Sequence, residues 1–268
     1  MKKLLLFALM TLSTLFSACL FEDDEEEWDA AKVCPEAGTN AYGDPNRGTF
    51  VDERDGRVYK YTTIGDQVWM AENLKFELPY PYSLCYGMEV CKEEWWEDTT
   101  CTRDTTHLAE IAQRMQSTCT DNDCIAAEWC EKVGRYYTLM ENGGLSQDLI
   151  DTICPRGWHI PSKEEWEILG KSVDNVVPRV ISENAYSTMD SIRAYDYQKK
   201  GGPVDACGFS AIFAGYYYFN GSLEEFFENS HYWSSSRYDE VTTYSMAINE
   251  IFDFIPIRTK QSIRCIRD

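Results

Sequence analysis

Cysteine spacing constrains this chain more than any other feature. Eleven cysteines, at positions 19, 34, 85, 91, 101, 119, 124, 130, 154, 207 and 265, are spread through 268 residues with three histidines and no CxxC pair. Zinc sites draw on closely spaced Cys and His sets, so metal binding is disfavoured. In an oxidising compartment such a chain is stapled by disulfides. Whether it reaches one is decided at its start.

Lys2 and Lys3 precede the apolar run "LLLFALMTLSTLF", which is short for a membrane span and ends in small residues. Residues 1–18 therefore read as a signal peptide. "FSAC", Phe16 to Cys19, resembles a bacterial lipobox, which implies a diacylglycerol on the Cys19 thiol and cleavage before it. The lipid bilayer is then the first partner. Glu22 to Glu27 are six consecutive acids that repel one another and form no core. Residues 19–46 read as an acidic tether. Acids just after a lipidated cysteine resemble surface-export signals of Bacteroidetes-like lipoproteins, and Leu20 resembles the outer-membrane sorting position. The expected location is a surface-exposed, lipid-anchored outer-membrane protein.

Removing Lys2 and Lys3 with no acid takes the formal charge from −20 to −22. That sign disfavours phosphate-rich partners, and nucleic acid is set aside. Without Cys19 ten cysteines remain, an even number. Five disulfides are expected.

Residues 47–268 read as one domain. "TFV" and "VYKYTTI" alternate around Arg54-Asp55-Gly56-Arg57, a hairpin pattern, and Gly65-Asp66 marks a second turn before "QVWMAENL". Residues 87–129 differ in kind, with two helical patterns: "THLAEIAQRMQ", with Leu108, Ile111, Ala112 and Met115 on one face, and "DCIAAEWCEKVG". This segment reads as a disulfide-pinned helical insertion that projects from the domain. In "CPRGWHIPSKEEWEIL", Ser162 and Glu165 have capping-box spacing, and Trp166, Leu169 and Val173 make a buried stripe. His159 lies on a short strand feeding that helix, with no nucleophile at motif spacing, so the stretch reads as a folding corner.

The ordered blocks "GTFVDERDGRVYKY", "IGDQVWMAENL", "CYG", "GRYYT", "CPRGWHIPSKEEWEIL", "GFSAIFAGYYY", "YWSSS" and "IRCIRD" resemble the Fibrobacter succinogenes major paralogous domain over about residues 47–268. That family is common on lipoproteins of fibre-degrading bacteria, and its biochemical role is unknown. Residues 134–268 also resemble C-type lectin-like domains and the related formylglycine-generating-enzyme group. The resemblances imply an α+β, C-type lectin-like mixed fold of short antiparallel strands and few helices, disulfide-stapled. They imply Cys154–Cys265 and Cys85–Cys130 bridges. Local pairing then suggests Cys91–Cys101 and Cys119–Cys124, and Cys34 with Cys207 remains by elimination.

The lectin calcium loop, "EPN" or "QPD" followed by "WND", does not occur. Cys207 has no cysteine neighbour before Cys265, so the oxidase chemistry of the formylglycine group is not expected either. Paired acids such as Glu93-Glu94 and Glu224-Glu225 are ordinary in a chain with 45 acids. No catalytic residue, metal or cofactor is expected. Calcium-free sugar binding would use exposed aromatics: Trp95 and Trp96 in the insertion, or Tyr216 and Tyr218, which strand alternation puts on one face. The tryptophans could equally cover the insertion's own small core. The expected function is a non-catalytic binding module for plant-wall polysaccharide, with a structural or assembly role among envelope proteins as the alternative.

Overall fold

The computed structural model describes residues 28–268 apart from 88, 92–100, 142–143, 177–178, 182–203, 219, 240–242, 249–252 and 258, and for 89–91, 101–102 and 253–257 the backbone alone.

The central element is an antiparallel sheet that joins the two ends of the domain. Strand β1 (Arg47–Val51) pairs with β2 (Val58–Ile64), and β2 with β3 (Gln67–Met70). Next to β3 lies Ile266–Arg267, and outside it Trp158–His159 from the folding corner. The β1–β2 turn is closed by Asp52, whose carboxylate accepts from the Arg54 backbone and guanidinium. Side chains alternate along the central strands, so the sheet is buried on both faces. Ile64, Trp69 and Ile266 enter one core with Trp166, Leu169, Val173, Phe209 and Tyr232. Tyr59, Val68 and Met70 enter the other with Trp158, Ile160, Trp233 and Ile263.

Helix α1 (Ala30–Val33) is four residues long and precedes Cys34, which is bonded to Cys207. Trp28 Nε1 donates to the Ser172 carbonyl at 2.8 Å, and the Arg179 guanidinium lies 3.7 Å from the Trp28 ring centroid. Residues 28–46 are therefore part of the folded body, which corrects the expectation of a free tether reaching residue 46. An indole that can bury its ring and satisfy its N–H outweighs the acidic run preceding it.

Helices α2 (Leu108–Met115) and α3 (Asn122–Val133) arise from the two expected patterns. Asp121 caps α3 by accepting from the Cys124 amide at 2.9 Å, the positive end of the dipole favouring an acid there. The expectation that the insertion projects from the domain is corrected for its two helices, which pack on it. Leu108, Ile111, Ile125 and Trp129 share a third core with Tyr136, Ala214 and Tyr217 of the main domain. Trp129 meets Phe226 and Phe227 edge-on at 5.4 and 5.8 Å. The amphipathic helices bury their stripe on the nearest apolar surface, and that surface belongs to the domain.

Helix α4 (Gln147–Thr152) leads to the corner and α5 (Lys163–Ser172) leaves it, with both halves of the Ser162–Glu165 capping box formed. Four bridges are present among the described residues: Cys34–Cys207, Cys85–Cys130, Cys119–Cys124 and Cys154–Cys265. The backbone register sets Cys91 opposite Cys101, both side chains lying outside the described residues. Cys19 lies outside them too. The architecture is α+β, with few helices and many short antiparallel strands.

His159 shows what the corner does. Its Nε2 lies 3.0 Å from Glu165 Oε1 and its Nδ1 2.7 Å from Asp268 Oδ1. The Glu165 hydrogen bond raises the imidazole above its ordinary value, against burial and with help from Asp268. Burial pushes Glu165 up, but hydrogen bonds from His159 and Ser162 more than offset it, so Glu165 is lowered. The imidazolium thus ties the Ile266–Asp268 end to the start of α5. A raised histidine contributes stability fully below its ordinary 6.5 and loses it as pH rises through the folded value. A lowered Glu165 contributes above 4.5 and loses it as pH falls. The melting temperature should peak between these values and decline through neutral pH. The decline is a few degrees at most, because the pair is partly solvated. His159→Asn should flatten the alkaline limb; an unchanged limb in that variant would contradict the assignment.

Candidate functional site: the outer face of Tyr216 and Tyr218

Tyr216–Tyr218 forms a three-stranded sheet with Leu223–Glu224 and Thr259–Lys260. Alternation does what the sequence suggests. Tyr217 is buried, Tyr216 is half-buried and Tyr218 is exposed. Tyr216 lies opposite Glu224 across the strand pair. The loop after Glu224 returns tightly over Gly215, where a Cβ would meet the Glu224 carbonyl at 2.2 Å with φ at +64°, so only glycine fits.

Beneath Tyr216 lies a polar chain that sequence reasoning missed. The Tyr216 ring sits 4.5 Å from the His231 ring, edge-on. His231 Nε2 is 2.9 Å from Glu225 Oε2, which also accepts from Asn229 Nδ2 at 2.9 Å. On the other side Ser245 Oγ is 3.4 Å from His231 Nδ1 and donates to Gln261 Oε1 at 2.5 Å. Burial raises the Tyr216 phenol, and the Glu225 and Glu224 charges add to it. The residue types are those of a Ser-His-Glu relay, but the geometry opposes one. Ser245 has no exposed surface, and its hydroxyl proton is committed to Gln261. A nucleophile needs room for a carbonyl beside it. This chain instead fixes the His231 ring as a rigid backing for Tyr216.

The other expected site residues are placed as follows. Trp95 and Trp96 lie outside the described residues. His159 is engaged at both nitrogens in the corner, and the groove beside it, about 460 Å³, runs past Trp158, Arg54 and Asp268. The one grouping of metal-type ligand atoms among the described residues is Cys119, Cys124 and Glu128, and its two sulfurs are joined to each other. Glu225 and His231 stand six residues apart on a loop and a strand, a spacing with no motif to announce it.

A family model, the Fibrobacter succinogenes major domain, matches residues 62–267. The chain belongs to that family. No curated protein and no solved structure matches it.

Proposed function

We propose that the protein is an outer-membrane lipoprotein, anchored through Cys19, whose domain binds plant-wall polysaccharide without catalysis. The observation that carries this is the split of one tyrosine run: Tyr217 locks the strand to the core while Tyr218 and the edge of Tyr216 are presented outward beside Glu224. Aromatic faces take the C–H face of a pyranose, and a flanking carboxylate takes its hydroxyls. The lipobox-like "FSAC" and the acidic run support the anchored, outward-facing setting. The Cys154–Cys265 bridge, which ties the helix-entry corner to the last strand, supports a C-type lectin-like arrangement of the second half. No described helix is long and apolar enough to cross a membrane.

Tyr218→Ala should weaken retention on insoluble xylan or cellulose about five- to thirtyfold, the cost of losing a well-used aromatic anchor. Its melting temperature should stay put, because the ring is exposed. Native retention in that variant would remove this face as the site.

A further inference from the structure

We propose that the cleft beside the Cys85–Cys130 disulfide is a second ligand site, built for an uncharged polyhydroxylated chain such as a neutral oligosaccharide. The inference rests on the reading of the protein as a binding module but not on the tyrosine face.

The cleft has a volume of about 630 Å³, within the range of small-ligand sites. Three guanidiniums line it, from Arg57, Arg103 and Arg135, with the carboxylates of Asp123 and Glu131. They come from the β1–β2 turn, the end of the strand Cys101–Arg103, the first and last turns of α3 and the chain after it.

Each guanidinium already has a carboxylate. Arg57 Nη1 meets Glu131 Oε2 at 2.7 Å, Arg135 Nη2 meets Glu77 Oε2 at 2.6 Å, and Arg103 pairs with Asp123. That pairing decides the class of ligand. An anion would have to displace a tethered carboxylate and enter a negative field. A cation would meet three arginines. A vicinal diol displaces nothing: its oxygens accept from the remaining guanidinium N–H groups, and its protons go to spare carboxylate lone pairs.

The floor suits the same ligand. Among the described residues it consists of Gly87, Ala126, Ala127 and the Cys85–Cys130 disulfide. Gly87 is needed there, since a Cβ would meet Ala126 Cβ at 2.7 Å with φ at +81°. The chain at Gly87 can therefore lie close against α3, and exposed Ala127 with half-buried Cys130 offers the apolar patch for a sugar's C–H face.

Access is also favourable. The cleft lies at the Val58 end of β2, whereas the N-terminal segment meets the Ile64 end, where the Gly65 amide donates to the Val33 carbonyl at 2.6 Å. A seven-residue strand separates the two by roughly 20 Å. Trp28, the first described residue after the expected anchor, thus lies toward the end of the sheet away from the cleft.

The test is titration calorimetry on the full mature chain with cellohexaose, xylohexaose, hexagalacturonate and, as the cationic probe, chitosan hexamer. At least one neutral hexamer should bind, with affinity little changed between 50 and 500 mM salt. Ala127→Trp fills the cleft from an exposed helix position and should raise Kd at least tenfold at native melting temperature. Arg103→Gln, which keeps one amide donor, should raise it severalfold. Native affinity in Ala127→Trp would overturn the proposal. So would tighter, salt-sensitive binding of either charged hexamer, or no binding of both neutral ones. Tyr218→Ala separates the two sites. Loss in that variant alone removes the cleft and keeps the tyrosine face, and loss in Ala127→Trp alone does the reverse. Loss in both supports the cleft, as one chain spanning two subsites.

Discussion

Replacing Arg264 by Met is expected to destabilise the protein by about 3–5 kcal/mol. The guanidinium is fully buried. Its Nε donates to Asn73 Oδ1 at 3.0 Å, and Nη1 donates to the Met70 carbonyl at 3.3 Å and to the Phe209 carbonyl. The plane lies 4.5 Å from the Phe209 ring centroid and 5.5 Å from that of Tyr232. No carboxylate forms an ion pair with it among the described residues. Burial accordingly pulls its proton affinity below the ordinary value, with the charges of Tyr232 and Asp205 acting against that. Burial in turn raises the Asp205 carboxyl despite its hydrogen bonds from Ser210. Methionine fills much of the volume but leaves these acceptors unpaired in the core, at about 1–3 kcal/mol each. Arg264→Lys should fare little better, because an ammonium cannot reproduce the planar fork. Urea unfolding with an unchanged m-value reads the loss directly. A shift below about 1 kcal/mol would mean the freed carbonyls find other donors.

Loss of the long-range disulfides is the second large effect. Cys34–Cys207 spans 173 residues and Cys154–Cys265 spans 111. In the chain-entropy model each contributes about 5 kcal/mol, the first larger by only ~0.4; Cys85–Cys130, spanning 45 residues, contributes about 4 and Cys119–Cys124 about 2. Double alanine variants should therefore rank in two groups rather than four. The Cys34→Ala/Cys207→Ala protein should differ in kind as well, because it removes the covalent attachment of the segment that carries Trp28 and leaves only the contacts of Trp28, Val33 and Glu36. Trypsin should then cut after Lys32 at a rate the Cys154→Ala/Cys265→Ala protein does not show. Equal protection of Lys32 in both would mean that the non-covalent contacts of Trp28, Val33 and Glu36 hold the segment without the bridge.

Much of this fold is legible because its signals are local. Ser162 and Glu165 announce the start of α5 at three-residue spacing, and Trp166, Leu169 and Val173 follow at helical period into the core. The turn at Arg54–Arg57 and the two insertion helices are read the same way. What escaped was set by tertiary contact. Nothing in "EEWDAAKVC" distinguishes a tether from a docked segment until Arg179 and Ser172 are brought to Trp28. The projecting insertion was a sound expectation for an added segment, but amphipathic helices bury their stripe where apolar surface is offered, here by Tyr136, Ala214 and Tyr217. Sites divide along the same line. Strand alternation puts Tyr216 and Tyr218 on one face and the structure shows which face is outward, whereas Arg57, Arg103 and Arg135 have no shared spacing and meet only in the folded chain.

The measurement that tests the central claim most directly is retention of the full mature protein on insoluble cellulose and xylan, with and without EDTA. A binding module whose contacts are tyrosine faces and arginine–carboxylate pairs should be retained on at least one polymer, equally in both conditions, and released by the soluble oligosaccharide. Flow-through on both polymers would contradict the account and favour a structural role among envelope proteins, and retention abolished by EDTA would show that a divalent cation, not these side chains, makes the contact.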